Sequence, residues 1–501
     1  MNKYLRMASL LISFSVILFM TSRYIFIDSD SANSSLVWRE VLNGDLQFYK
    51  NWRPTVDNWY FSIYPLHFLL FLLLNNDGLI PIVLATAIFT FSVAVCSAKI
   101  SDILFGKKAF YFTLIALTVL CFPMYRWGFV QHPFSHNSTN AFGFLCLLIS
   151  IANYKKGSLI CIITVALLSV AACISDPWFA PTFFLPIIIS EIFRVFENEN
   201  NAKFSFVIYT LSFIVVMSHV IQRLMDIPVH HFQIVSFERI MLNFAQMPLT
   251  IGRSVNFLIV DKPAAYVISL MIFLIFSVMA LAKMVKMRNI YIYSAALMTL
   301  SFMGIISSFI LSNKADGYIT MRFFVNLQPL FYILASCVIS YYWISAYVAS
   351  TLIILVGNSL SYVNSKPTTE VELTRHKNYA NFLISNGLKI GVGPYWKYSM
   401  GINWLYPQQL HISPVTFNDD GSINKKIIRA QTMKSWMKDN IKKSKTSINF
   451  IVLKKGENKG NGECPDIDLC SRKLSDIYGE PKKILKYEDL TILAFDKYIS
   501  L

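Results

Sequence analysis

The chain has 501 residues, 55% of them hydrophobic and only 15% charged, with a mean hydropathy of +0.49. That is too apolar for an ordinary soluble enzyme and points to a polytopic membrane protein. The formal charge of +16 is spread over short loops and a polar tail, without a basic stripe or a recognition motif. A nucleic-acid partner is therefore set aside in favour of charges that orient loops across a bilayer.

In chain order, the first apolar run, about 5 to 27, follows Lys3 and Arg6 and has no clear small-residue cleavage site after it. It reads as a retained transmembrane helix. A polar stretch then opens on "DSD", with Asp28 and Asp30, and carries Trp38, Arg39, Trp52, Arg53, Asp57, Trp59 and Tyr60. The next run, "FSIYPLHFLLFLLL" at 61 to 74, is short and contains Pro65 and His67, which fits an interfacial or re-entrant segment. Further spans are predicted at about 79–98, 109–125, 139–153, 157–174, 178–193, 204–221, 264–282, 290–311, 320–340 and 343–361, about eleven transmembrane helices in all.

With the 61–74 run counted as non-spanning, the basic loops "AKISDILFGKK", "NYKKGS", "EIFRVFENENNAK" and "AKMVKMRN" share a side with Lys3 and Arg6. The positive-inside rule makes that side cytoplasmic. The first loop (28–60), a second long loop (222–263) and the tail then lie outside. In the tail, "LKIGVG", "LHISPVTF", "INFIVLKK" and "LTILAF" have strand length and are separated by polar helical stretches such as "KSWMKDNIKKSK". The predicted architecture is an α-helical polytopic membrane body over 1–361 and a small α/β extracytoplasmic domain over 362–501. Cys464 and Cys470 flank "PDID" in that tail, a spacing that permits a small disulfide loop in an oxidising compartment. The other six cysteines mostly sit in apolar runs and read as inert buried thiols.

Asp28 and Asp30 stand at a membrane exit, either as an interfacial flank or as working acids. Arg322, in "ADGYITMRFFVNLQP", ends a span where a guanidinium can pair with a phosphate bidentately. Lys314, Arg53 and Arg126 are secondary cations, with snorkelling or loop solvation as the plain alternative. The loop "YRWGFVQHPFSHNSTN" gathers Arg126, Trp127, His132 and His136, and "ISDPWFAP" sets Asp176 and Trp178 at a tight turn. An aromatic beside a polar group is a common cradle for a sugar, and interface anchoring is the competing role. Tyr395 and Trp396 in the tail are either domain core or a glycan-facing surface. His230 and His231 are adjacent, and adjacent side chains point apart, so one site rarely uses both.

Taken together, "DSD" after the first helix, "WREVLNGD", "YPLH" and "AKISDILFGKKAFYFTLIAL" resemble the amino-terminal pattern of the GT-C superfamily of membrane glycosyltransferases, over roughly the first 130 residues. The size and polar tail are similar to those of the bacterial serotype-converting glucosyltransferases that decorate O-antigen. The resemblance implies transfer of a hexose, expected to be glucose, from a polyprenyl-phosphate carrier to a cell-surface or lipid-linked glycan such as O-antigen. The reaction would take place on the periplasmic face of a bacterial inner membrane. Asp28 or Asp30 would take the acceptor's proton, and Arg322, with Lys314, Arg53 and Arg126, would meet the donor phosphate. Trp127, His132, Asp176, Trp178, Tyr395 and Trp396 would contact sugar or acceptor. A divalent metal on Asp28 and Asp30 is a further option, two carboxylates being a small ligand set. Two other readings compete: a polymerase or ligase of lipid-linked glycan, and a transporter or flippase. The last is disfavoured by the few ionisable residues in the spans and the lack of a repeat.

Overall fold

The computed structural model describes residues 3–496 except 45–50, 56, 131–135, 226, 228, 230–232, 257, 259, 341–343, 397, 425–428, 435 and 437–448. His132, His230, His231 and most of "KSWMKDNIKKSK" lie outside the described residues. Lys3–Tyr24, Leu79–Phe105, Pro263–Met287 and Ile290–Ser312 are each long and apolar enough to cross a membrane. Two bent pairs, Lys107–Thr118 with Phe122–Phe129 (72°) and Gly317–Phe324 with Leu327–Ile339 (55°), raise that number to six among the described residues. Asn137–Ala152, Leu159–Ser175, Ala202–Met217 and Ser345–Leu360 are apolar but shorter, at 10–17 residues. A helix of that length rises at most about 25 Å, less than the ~30 Å of a hydrocarbon core. All eleven predicted runs fall on helical structure, but fewer than eleven meet the length of a straight span. Tyr64–Leu74, in the run read as interfacial, is an eleven-residue helix.

Contacts sort the helix ends into two sets. At one end, the Tyr24 ring packs on Phe122 at 5.3 Å and on Tyr362 at 5.5 Å, and its hydroxyl pairs with Ser365 at 2.8 Å. At the other, Arg6 pairs with Asp102 at 2.8 Å. The Arg194 guanidinium there donates to Tyr154 O, Glu191 Oε2 and Asn200 O. Lys107, Lys108, Lys155, Lys156 and Lys203 flank helix ends of this second set.

Two stretches expected to be loops contain helices. Ser29–Leu42 begins at Asp28, whose Oδ1 accepts from the Asp30 and Ser31 N–H groups at 3.1 Å each. Serine and asparagine are poor helix formers in water, so the cap and tertiary burial hold this helix. Its buried polar face is matched by helix Tyr64–Leu74: the Tyr64 hydroxyl donates to Asn33 Oδ1 at 2.6 Å, and His67 Nδ1 pairs with Ser34 Oγ at 2.8 Å. Within 222–263, Phe237–Ser254 is an 18-residue helix capped by Ser236, with Pro248 inside it.

The tail carries a five-stranded sheet formed by β2 (Ile390–Gly393), β3 (His411–Pro414), β5 (Asn449–Lys454), β6 (Lys483–Tyr487) and β7 (Leu490–Phe495). Its order is β3-β2-β5-β7-β6, with β2 parallel to β3 and β5, and β7 antiparallel to β5 and β6. Alternation puts Phe450 and Val452 in one core with Leu383 and Ile402, and Ile451 and Leu453 in another with Leu474 and the bonded Cys464–Cys470 pair. A short ribbon, β1 (Trp52–Arg53) against β4 (Thr432–Met433), ties the first loop to the tail. Arg39 strengthens the joint by donating to Asn403 O and Trp404 O at 2.9 Å each and to both oxygens of Asp77. The fully buried Trp52 and Trp404 share one core with Val37, Tyr64 and Met433.

Candidate active site

Two acidic corners lie at the Tyr24 end of the helices, joined by a rim of aromatics and arginines. The first is Asp28 with Asp30. Both are half-buried, and burial, with the charge of Asp30 and weakly that of Glu372, pushes Asp28 up to about 8 against its two backbone hydrogen bonds. The tail closes this corner: Ser29 Oγ donates to Tyr395 O at 3.0 Å, and Arg429 lies 3.6 Å from the Tyr395 ring centroid. Among the described residues no three His, Cys, Asp or Glu side chains converge as metal ligands. With one Asp28 oxygen spent on the cap, the pair is not a complete divalent site.

The second corner forms where helix Leu159–Ser175 ends. Three bonds pin the 58–61 segment to that end: Asn58 Nδ2 to Ile174 O at 2.7 Å, Trp59 N to Ser175 O at 3.5 Å, and Phe61 N to Ser175 Oγ at 3.0 Å. Asp57 is thereby held beside Asp176. Asp176 is 4% exposed and accepts from Thr139 Oγ1 at 2.6 Å and the Trp178 N–H at 3.0 Å, with His136 Nδ1 at 2.7 Å. Its burial acts against ionisation, but the His136 charge and these bonds outweigh it and hold the carboxyl below its ordinary range. His136 stacks on Trp178 at 4.6 Å and 17° and packs against Phe323 at 5.7 Å. Among the described residues no side chain donates to the Asp57 carboxyl, which is bonded by its own backbone N–H. Burial and the Asp176 charge push it up to about 7, moderated by His136 and Arg322.

The rim is built by two irregular turns that pack together, the one-turn π-helix Tyr125–Phe129 and the 3₁₀ segment Gly317–Phe324. Irregular helix of this kind is common at functional sites. Trp127 stacks on Tyr318 at 6.0 Å and 20° and contacts Phe26 at 5.5 Å. Arg126 lies over Phe26 and Trp127, and Arg253 over Tyr318 at 4.5 Å. Asp261 accepts from the hydroxyls of Tyr266 and Tyr318. Among the described residues, Arg126, Arg253 and Arg322 each keep a buried Nε with no partner, and so does the Trp178 indole N–H. Arg194, with its guanidinium spent on chain atoms, is the contrasting structural arginine. Buried donors without partners are costly in a folded chain, and three arginines of this kind around one rim suit an anion.

Arg322, Arg126, Trp127, Asp176 and Trp178 thus line one rim. Arg53 is exposed on β1, and its charge bears on Arg429. Lys314 is exposed and donates to Gln233 Oε1 at 3.3 Å. Tyr395 is fully buried, its hydroxyl bonded to Gln431, so its ring offers no open face to a sugar. Trp396 is 37% exposed. Asp57, Arg253, Asp261 and Arg429 are rim or corner residues that sequence reading did not single out. The Ala180–Phe184 turn and helix Leu185–Phe196, which follow Trp178 in the chain, leave with helix Ile290–Ser312 an apolar groove of about 430 Å³ lined by Pro181, Leu185, Ile189, Met303, Gly304 and Ile310. A Cβ on Gly304 would stand 1.9 Å from Pro181 O, so only glycine lets the two elements approach this closely.

Solved structures share this fold along almost the whole chain, among them two of ArnT. ArnT from Cupriavidus metallidurans bound to undecaprenyl phosphate superposes with a TM-score of 0.60 and 10% identity, covering 99% of this chain and 98% of that one. The chain has the fold of ArnT. The apo form of the same ArnT superposes with a TM-score of 0.55, at the same 10% identity and the same coverage. No family model and no curated protein matches the sequence. At this identity the likeness to ArnT is one of fold, a polytopic membrane architecture.

Proposed function

We propose that the protein is a GT-C membrane glycosyltransferase that moves a hexose, glucose in the favoured reading, from a polyprenyl-phosphate carrier to a surface glycan such as O-antigen. The observation that carries the proposal is the rim of three arginines with unspent buried Nε donors, set between two acidic corners. It lies in a fold shared with an ArnT that binds undecaprenyl phosphate. A lipid phosphate needs cations as negative charge builds on the leaving oxygen, and Arg322, with Arg126 and Arg253 nearby, supplies them. The apolar groove lined by Pro181, Leu185 and Met303 suits the first units of a hydrocarbon tail. Asp28 or Asp30, and the aromatic rings of Trp127, Trp178 and Trp396, are proposed to face the acceptor and sugar. By the positive-inside rule we read the basic end of the helices as cytoplasmic, and with it both corners and the tail as periplasmic. There the Cys464–Cys470 bond persists.

The test is transfer by the purified full-length protein in detergent, from undecaprenyl-phosphate glucose to lipid-linked O-antigen, followed by mass analysis. One hexose added per repeat supports the reading. A change in chain length without added hexose replaces it by a polymerase or ligase, and activity that requires sealed vesicles points to transport.

A further inference from the structure

We propose that Asp57, oriented within the His136–Asp176 corner, is the carboxylate that takes the acceptor's proton, while Asp28 acts chiefly as a helix cap. The inference rests on the glycosyltransferase reading and adds a residue to it. A base must sit where the donor's anomeric carbon lies, within a sugar's length of the group that holds the phosphate. Arg322 is the rim arginine whose charge reaches Asp57, and the same 317–324 segment places Phe323 against His136. The segment that follows Asp57 is held at that place by three bonds, from Asn58, Trp59 and Phe61, to the end of helix Leu159–Ser175. Its neighbours are already committed: Asp176 is saturated by His136, Thr139 and the Trp178 N–H, and His136 is stacked on Trp178. Asp28, by contrast, has an oxygen occupied by two backbone N–H groups.

In the step, the acceptor O–H bond breaks and its proton passes to an Asp57 carboxylate oxygen. The acceptor oxygen bonds to the anomeric carbon, the bond from that carbon to the phosphate oxygen breaks, and its electron pair stays on the lipid phosphate beside Arg322. Asp57 then releases the proton to water. Among the described residues, the titratable and charged groups that act on Asp57 are Asp176, His136 and Arg322. Asp176 and His136 are positioning residues, one raising and the other lowering the proton affinity of Asp57.

The experiment uses the full-length protein in nanodiscs with undecaprenyl-phosphate glucose as donor and lipid-linked O-antigen as acceptor. It reads release of undecaprenyl phosphate as a function of pH and, separately, equilibrium binding of undecaprenyl phosphate. Asp57→Asn is expected to lower kcat about 100-fold or more while changing lipid-phosphate affinity less than about 3-fold. His136→Asn keeps a donor toward Asp176 but removes the positive charge, so the rising limb of kcat, near pH 7 in the wild type, moves to higher pH. A kcat within about 10-fold of wild type in Asp57→Asn, or a limb unmoved in His136→Asn, overturns the inference and leaves the transferase reading standing. Should Asp57→Asn fail to fold, the His136→Asn limb decides. A wild type that neither binds undecaprenyl phosphate nor turns over the donor removes both.

Discussion

The two acidic corners use the same residue type in opposite ways. At Asp28 the carboxylate is engaged by backbone, starts a helix, and depends on the tail, through Tyr395 and Arg429, for its walls. At Asp57 every named neighbour lies in the membrane body before residue 326, and the carboxylate is left over once His136 and Asp176 have paired. A carboxylate that starts a helix stabilises the fold, whereas one set beside a His–Asp pair and within reach of an arginine's charge is available for chemistry.

The largest separation of the corners is expected from Trp404→Ala. This empties a buried position at the joint between the tail and the first loop, at a cost of about 3–5 kcal/mol. Hydrogen exchange in helix Ser29–Leu42 and strand β2 should rise sharply, while affinity for undecaprenyl phosphate changes less than about 3-fold. Equal loss at both corners would show that the tail also builds the donor site. A smaller effect is expected at the cap. Asp28→Ala should cost about 1 kcal/mol in thermal unfolding and Asp28→Asn only a few tenths, since asparagine also caps.

The pH dependence of stability sharpens the comparison further. Asp28 and Asp57 have folded values of about 8 and about 7, above the ordinary carboxylate value of 3.8. The unfolded chain therefore gives up these protons first. Their contribution is complete below about pH 4 and is lost as pH rises through 7 and 8. Melting temperature should fall between pH 5 and pH 8, and Asp28→Asn combined with Asp57→Asn should flatten that slope. A slope unchanged in the double variant would remove both assignments. The smallest effect is predicted for Lys314→Ala, less than about 2-fold on undecaprenyl phosphate affinity, because this lysine is exposed and turned to Gln233.

Much of this was legible in the sequence, for identifiable reasons. The apolar runs marked the helices, and four tail strands were visible as short apolar stretches. Strand β6, "KILKY", was not, because this edge strand is largely exposed and carries two lysines. Helix Ser29–Leu42 was hidden by its serines, since a cap and tertiary burial, not propensity, hold it. Arg322, Asp176 and Trp178 were visible as polar or aromatic residues at span ends. The place of Asp57 was not, because it depends on a bond between Asn58 and Ile174, residues 116 positions apart. Nor can a sequence show which arginine has its donors spent, as Arg194 has, and which keeps one free, as Arg322 does.

The central claim is that the rim holds a lipid phosphate at Arg322, and equilibrium binding of undecaprenyl phosphate to the full-length protein in nanodiscs tests it most directly. The account predicts that Arg322→Ala weakens binding about 10- to 100-fold, as loss of a charge-assisted pair worth about 1.5–3 kcal/mol requires, and that Arg322→Lys recovers part of it. Wild-type affinity in Arg322→Ala, in a variant that melts like the wild type, would contradict it.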